Sequence, residues 1–329
     1  MAHTGKLLPK TLTVNFFVQL VEGLPYAGAN TPIVELSGLM NALAQALAPL
    51  AHSEGVNTTP LPGVWIFKAS ESRPREPLCY SQGIIIMAQG TKRVHLDEQV
   101  FEYNPDNYLV LTLPIPAECE TVVEDEPMLS LVVDINIGVL HQLVRLFEEH
   151  RQAPGEGRMV EGRSLYVSPL GESMQDSAVR LAQALASPLQ AEALGPGLIQ
   201  SLLYHALQGE QSGPLFALAR HNTHLARLER ALRHMHEHYQ QSLDIDQLAA
   251  MANMSPSTFH RNFRQMTASS PIQYLKKLRL TRARELLQDR GLKVKQAAAM
   301  VGYESPTQFS REFKRYFGET PQHWAGQGA

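Results

Sequence analysis

The sequence predicts an α+β chain of two domains. The first is an N-terminal antiparallel β-sandwich or small β-barrel with helices, and the second is an all-α domain holding two helix-turn-helix units. Three observations carry this. The segment Met254-Ser-Pro-Ser-Thr-Phe-His-Arg-Asn-Phe-Arg264 returns as Glu304-Ser-Pro-Thr-Gln-Phe-Ser-Arg-Glu-Phe-Lys314. Short runs rich in strand formers, separated by turn residues, crowd residues 64–135. The formal charge of -3 also conceals a division: residues 221–329 carry 16 Lys/Arg against 9 Asp/Glu, whereas residues 1–220 carry 13 against 23.

A chain of 329 residues can hold two ordinary domains, each with its own core. The basic C-terminal part suits a phosphate-rich partner, and the acidic remainder does not. Cys79 and Cys119 are the only cysteines, which excludes a disulfide framework or a Cys-rich zinc site and fits a reducing compartment. The N-terminus shows no basic start followed by an apolar signal core, and no run reaches the roughly eighteen apolar residues of a membrane span. The expectation is a soluble cytoplasmic protein with no membrane partner.

Along the N-terminal part, residues 33–50 repeat apolar side chains at helical spacing (Ile33, Leu36, Leu39, Met40, Leu43, Leu47). Strand patterns follow at Val64–Phe67, Gly83–Ala88, Thr91–Leu96, Val100–Tyr103, Tyr108–Leu113, Cys119–Val123 and Leu129–Ile135. Gln89-Gly90, Asp97-Glu98 and Asn104-Pro-Asp-Asn107 supply turns. Many short strands with close turns argue for a sandwich or small barrel, which can enclose a small ligand. Trp65, Phe67, Tyr80 and Met87 either line such a pocket or pack the core. Cys79, near Arg73 and Arg75, is either a reactive thiol or a plain buried cysteine. A metal enzyme would need converging His and carboxylate ligands, and this stretch offers only His95. No enzyme and no cofactor is expected.

Helical spacing returns at 137–150, at Met174–Leu185 and at Leu198–Leu207, with a polar loop at 151–163 and breaks at Ser187-Pro188 and Gly195-Pro196-Gly197. These helices either form a dimer interface through their apolar faces or simply cover the sheet. The expected division is a domain at 1–208, a linker at 209–220 and a DNA-binding domain at 221–329.

In the C-terminal domain, His221–Tyr239 is helical. Leu243-Asp-Ile-Asp-Gln-Leu248 then opens a helix with Asp244 as cap and Gln247 closing a capping box. A turn at Asn253-Met254 leads to the first repeated helix from Ser255. Ser270-Pro271 starts a long connecting helix to about Asp289. The second unit begins near Lys293, turns at Gly302-Tyr303 and resumes after Ser305, with Gln308 again completing a box. Lys293 stands where the first unit has Asp244, which forgoes about 1 kcal/mol of capping but offers a phosphate contact. Phe259/Phe263 and Phe309/Phe313, four apart, share the buried face. Ser257, Thr258, His260 and Arg261 lie off it, as do Thr307, Gln308, Ser310 and Arg311. Arginine can pair bidentately with guanine, and serine or threonine takes several base edges. Arg264, Lys276, Lys277, Arg279, Lys293, Lys314 and Arg315 are assigned to backbone phosphates. His234 and His238 are one helical turn apart, but no Cys or carboxylate set completes a metal site.

The paired Ser-Pro-x-x-Phe-x-Arg-x-Phe units, the Tyr274-Leu275 to Leu286-Leu287 helix, the Gly302-Tyr303 turn and Pro321 resemble the AraC/XylS-type transcriptional regulators over residues 222–325. Arg75-Glu-Pro-Leu78, Ala88 to Val94, Phe101-Glu-Tyr103 and Tyr108-Leu-Val110 resemble that family's cupin-like N-terminal domain over residues 30–185. The resemblance implies an antiparallel β-barrel (cupin-like) that senses an effector or mediates self-association. It also implies Ser257, His260, Arg261, Thr307, Ser310 and Arg311 as base readers. The expected partners are double-stranded DNA, a small-molecule effector, a second copy of the chain and, for an activator, RNA polymerase. The alternatives are an architectural DNA-binding protein or a barrel enzyme with accessory DNA binding.

Overall fold

The computed structural model describes residues 42–153, 164–220, 223–290 and 292–325. Residues 33–41 of the first expected helix and most of the loop at 151–163 lie outside these, while 42–47 are helical and run into a 3-10 turn at Ala48–Leu50.

The strands are β1 (Gly55–Thr58), β2 (Val64–Ala69), β3 (Arg73–Tyr80), β4 (Gly83–Gln89), β5 (Thr91–Leu96), β6 (Gln99–Tyr103), β7 (Asn107–Leu111), β8 (Ile115–Val122), β9 (Met128–Asp134) and β10 (Leu165–Pro169). They form a six-stranded sheet in the order β1-β2-β9-β4-β7-β10 and a four-stranded sheet in the order β3-β8-β5-β6, antiparallel throughout. Central β4 is an unbroken apolar run, Ile84 to Ala88, because both of its faces are covered. Strand β5 alternates instead, with Lys92 and Val94 buried.

The expected closed barrel is corrected to two open sheets facing each other. The turn at 104–107 carries the chain from β6 into the other sheet, where β7 pairs with β4 and β10 rather than with β6. Strands β1, β10, β3 and β6 remain edges. Strand β3, Arg-Pro-Arg-Glu-Pro-Leu-Cys-Tyr, escaped the strand pattern because prolines interrupt it. An edge position with a register shift between Arg73 and Glu76 accommodates them.

Helices α1 (Ile137–Glu149), α2 (Glu172–Ala184), α3 (Pro188–Gln208) and α4 (Gly213–Ala219) complete the N-terminal part. Asn136 caps α1 by accepting the Val139 N–H at 3.1 Å, and Leu140, Leu143, Val144 and Phe147 form its buried face. The break expected at Gly195-Pro196-Gly197 does not occur: α3 runs through it. Packing overrides the local penalty, since a Cβ at Gly195 would lie 2.4 Å from Leu61 Cδ2 and the glycine lets α3 meet the loop between β1 and β2 there. The stretch read as a linker is no exposed tether. Its helix α4 is buried along its whole length, and Arg220 just beyond it reaches Glu148 of α1 at 3.0 Å.

The remaining helices are α5 (His224–Glu237), α6 (Ile245–Met251), α7 (Pro256–Thr267), α8 (Pro271–Arg290), α9 (Val294–Met300), α10 (Pro306–Phe317) and α11 (Pro321–Ala325). One apolar core runs from the sandwich through α1–α5 into α6, α7 and the first half of α8. A second core contains the far half of α8 with α9 and α10.

Candidate nucleic-acid interface and inter-sheet site

Both helix-turn-helix units are built by the same local bonds. In the first, Asp244 accepts the Asp246 N–H at 2.9 Å and starts α6. Asn253 takes a left-handed φ of 51°, and Met254 N–H donates to Ala249 O at 3.0 Å. Ser255 then accepts the Thr258 N–H at 3.3 Å to open α7. In the second, Gly302 turns at φ 85° and Tyr303 N–H donates to Ala298 O at 3.0 Å. A Cβ on Gly302 would stand 2.2 Å from Gln240 O, so only glycine fits that approach. Ser305 accepts the Gln308 N–H at 3.2 Å to open α10, while the Gln308 amide turns to Glu312 at 3.1 Å instead of closing the box. At Lys293 one half of a box survives, as its N–H donates to Gln296 Oε1 at 3.3 Å. The ammonium has no lone pair to return the bond.

The phenylalanine pairs are fully buried, and each pair sets its rings 5.4 Å apart. On the opposite faces Ser257, His260, Arg261 and Arg264 of α7 are exposed, as are Thr307, Arg311, Lys314 and Arg315 of α10. Ser310 is half-buried, its hydroxyl donating to Pro306 O at 2.9 Å. Lys293 is exposed. Lys276, Lys277 and Arg279 are engaged inside the protein. Lys276 meets Glu312 at 3.3 Å, Lys277 donates to Ser269 Oγ at 3.1 Å, and Arg279 donates to Tyr239 O and Gln241 O at 2.7 Å each. Glu312 is the hub of the second unit. Burial raises its carboxyl pKa, but hydrogen bonds from Gln308, Tyr303 and Lys276 outweigh that and hold it below the usual range.

The two domains are latched together. Tyr274 of α8 donates to Pro114 O at 2.9 Å. Its only proton is thereby used, so His236 Nε2–H must donate to Tyr274 Oη at 2.7 Å, which fixes the tautomer. Burial, with Arg282 adding to it, pushes the His236 pKa down to about 4. Arg284 stacks on Phe317 and Trp324 at 4.8 and 5.5 Å and meets Glu76 of β3 at 3.5 Å. Ser164 donates to Met266 O at the end of α7. The β5–β6 hairpin tip, Leu96-Asp-Glu-Gln99, faces Arg261, Arg264 and Gln265 across a cleft of about 600 Å³. That acidic tip was read in the sequence only as a turn.

The sandwich interior gathers four of the five pocket residues. Trp65 pairs with Val132, which pairs in turn with Ile85, and Phe67 pairs with Ser130, which pairs with Met87, so these rows share one face. The Lys92 ammonium, from the facing sheet, lies 4.5 Å from the Phe67 centroid and 5.6 Å from that of Tyr80. Cys79 is elsewhere, packed against the C-terminal domain near Arg282. Burial pushes its thiol up to about 12, with Arg282 opposing, which disfavours the thiolate. Lys92 was missed because the adjacent Arg93 makes another cation look like surface. The available signal was its two-residue spacing from buried Val94. Among the described residues no group of three or more His, Cys, Asp or Glu could hold a metal ion, and no helix is long and apolar enough to cross a membrane.

Comparison with known proteins bears on both halves. The family model for the AraC-type transcriptional regulator N-terminus matches residues 60–214, and a helix-turn-helix domain model matches residues 248–327. The chain is 28% identical over 130 residues to the HTH-type transcriptional regulator GbdR of Pseudomonas aeruginosa, covering 39% of this chain and 35% of that one. It is 36% identical over 100 residues to the HTH-type transcriptional regulator AlkR of Acinetobacter baylyi, covering 30% and 33%. The matches thus span about a third of the length of these curated relatives. The solved structure of ToxT from Vibrio cholerae with an unsaturated fatty acid bound is similar in fold, with TM-score 0.55 and 11% identity over 84% of this chain and 98% of that one. The AraC-type regulator model on the N-terminal half, the helix-turn-helix model on the C-terminal half and the paired helix-turn-helix geometry lead to one conclusion: the chain is a DNA-binding transcriptional regulator of the AraC/XylS family.

Proposed function

We propose that this regulator reads duplex DNA through α7 and α10, activates transcription through RNA polymerase, and responds to a small molecule held in its N-terminal domain. The carrying observation is that two helices with matched caps and buried phenylalanine pairs expose equivalent polar faces. Ser257, His260 and Arg261 are the base readers of one half-site, and Thr307, Ser310 and Arg311 those of the other. Arg264, Lys293, Lys314 and Arg315 take backbone phosphates, which position the protein without choosing sequence. Lys276, Lys277 and Arg279 reach phosphate only if their internal bonds are exchanged. Helix α8 has 20 residues, hence a length of about 30 Å, which suits two reading helices set roughly one turn of duplex apart. The exposed Leu189 and Leu194 of α3 are the surface we assign to self-association.

The test is selection from a random duplex library by the full chain, with unrelated DNA as competitor. The expected product is a motif of two half-sites about one helical turn apart. Arg261→Ala then relaxes one half-site and Arg311→Ala the other, each by roughly 1–3 kcal/mol. Enrichment no better than competitor, at every salt concentration, sinks the sequence-specific reading in favour of an architectural one.

A further inference from the structure

We propose that Glu312 is the positioning residue of the second reading helix: it fixes the rotation of α10 against α8 and so decides whether Thr307 and Arg311 meet their bases. This deepens, and rests on, the reading of α10 as a DNA-recognition helix. Glu312 follows Arg311 directly, about 100° further round the helix, so the two side chains leave it on different sides. Arg311 is exposed, whereas Glu312 is only 7% exposed. Its carboxylate collects donors from three parts of the unit. Lys276 of α8 and Gln308 of α10 donate to Oε1 at 3.3 and 3.1 Å, and the Tyr303 hydroxyl, from the turn, donates to Oε2 at 2.9 Å. Lys276 lies in line with Leu280, Ala283 and Leu287, the stripe of α8 that packs in the core of this unit.

Apolar contact alone leaves this rotation soft. Phe309 and Phe313 are fully buried, but burial is non-directional, so a small rotation trades one carbon contact for another at little cost. Hydrogen bonds weaken steeply with angle, and three of them from separate places triangulate the helix. The tolerance needed is tight. Side chains stand about 5–6 Å from a helix axis, so a rotation of about 15° carries the tip of Arg311 by about 1.5 Å. A binding constellation must be held within about 0.5 Å of its productive geometry. Stability does not account for the carboxylate, because replacing a buried ion pair by apolar side chains of similar volume is often neutral or stabilising. The first unit repeats the device in neutral form. Asn262 follows Arg261 as Glu312 follows Arg311, is also buried, and its amide donates to His224 of α5 at 3.2 Å.

The experiment uses the full chain, the duplex that it selects, and a set of duplexes each changed at one base pair of one half-site. Fluorescence anisotropy gives the ratios of affinity, and circular dichroism with thermal melting checks the fold of each variant. The half-site of α10 is the one that Arg311→Ala relaxes. Glu312→Leu combined with Lys276→Met removes both charges together, so this variant is expected to melt at or above the parent temperature. Its discrimination at the half-site of α10 should fall roughly tenfold, against less than about twofold at the half-site of α7. Glu312→Gln, which keeps the shape and one acceptor oxygen, should lose about threefold there. A residue that only holds the fold together would move the melting temperature and leave these ratios alone. Parent-like discrimination by both variants, or equal loss at the two half-sites, would overturn the positioning role and leave the DNA-reading helices standing. If the double variant does not fold, Glu312→Gln decides by the same ratios. A parent that prefers no duplex sinks the DNA reading itself, and the positioning role with it.

Discussion

The two helix-turn-helix units share serine caps, the turn hydrogen bond and the phenylalanine pair, yet they stand in different surroundings. Phe259, Phe263, Leu248 and Tyr274 belong to a core continuous with the β-sandwich. Phe309, Phe313, Ala297 and Val301 pack in a separate core with Leu280, Ala283 and Leu287. The sandwich reaches the second unit mainly at the Arg284–Glu76 pair and where α10 touches β3. Events in the N-terminal domain therefore have a packed path to the first unit and a narrower, polar one to the second. Cores transmit strain because they are close-packed, which gives the two units unequal coupling to the N-terminal domain.

The sharpest way to break this contrast is to empty each core in turn. Phe263→Ala and Phe313→Ala each remove a fully buried ring, and each should cost about 3–5 kcal/mol locally. Hydrogen exchange should show the loss spreading from α7 into α5 and the sandwich for Phe263→Ala. For Phe313→Ala it should stay within the far half of α8 and α9 to α11. Equal spreading from both variants would mean that the two cores unfold as one.

Acid provides a smaller lever, at the contact between the sandwich and α5 on the side of the first unit. His236, Asp134, Glu229 and Arg233 line one cleft between the sandwich and α5, with Arg282 approaching from α8. The folded pKa of His236, about 4, lies below its unfolded value, so the unfolded chain binds the proton first. Stability is full above about pH 6.5 and falls by up to roughly 1.4 kcal/mol per unit down to about pH 4. Asp134 works in the opposite direction. Burial raises it to about 6, so its penalty is relieved as pH falls through 6 towards its ordinary value. It is half solvated, and it should offset only part of the histidine slope. Urea unfolding between pH 7 and 4.5 checks both signs: Asp134→Asn should steepen the acid loss, and His236→Gln should reverse it.

A still smaller effect separates the units at the DNA face. Asp97 and Glu98 look across a cleft at Arg261 and Arg264, and the lining of that cleft includes no residue of the second unit. Their carboxylates repel DNA phosphates and compete for the arginines. Asp97→Asn with Glu98→Gln should therefore tighten DNA binding by about three- to tenfold at low salt, less at high salt. Fluorescence anisotropy at two salt concentrations decides it. An unchanged affinity would show that the hairpin is clear of the duplex.

What the sequence made legible follows from where the information sits. The caps at Ser255 and Ser305 and the Phe spacing are local, so both repeated helices, α7 and α10, could be drawn from the chain alone. Strands with branched or aromatic runs, such as Ile84-Ile85-Ile86, were equally plain. Strand β3 was hidden because Pro74 and Pro77 are tolerated only by an edge, and edge position is a tertiary fact. The continuity of α3 through Pro196 was hidden because Leu61, remote in sequence, decides it. The inward Lys92 and the merged core were hidden for a related reason. An apolar or alternating pattern says that a face is buried, but not against what.

The finest distinction between the units is the cap, and it offers the smallest prediction. Asp244 accepts a backbone N–H, whereas Lys293 cannot, and only Gln296 ties the start of α9. Lys293→Ser supplies the missing acceptor without adding a negative charge. It should slow hydrogen exchange at the first turn of α9, corresponding to about 1 kcal/mol. The same change removes an exposed cation, so DNA affinity should fall and the salt slope should drop by about one. A gain in the helix together with a loss on DNA would mean that the lysine is kept at that cap for phosphate at the expense of stability. A gain in both would assign the weak cap to the fold alone. No gain in exchange protection would mean that the Gln296 bond already satisfies the helix start, so that the contrast between the units rests on their cores.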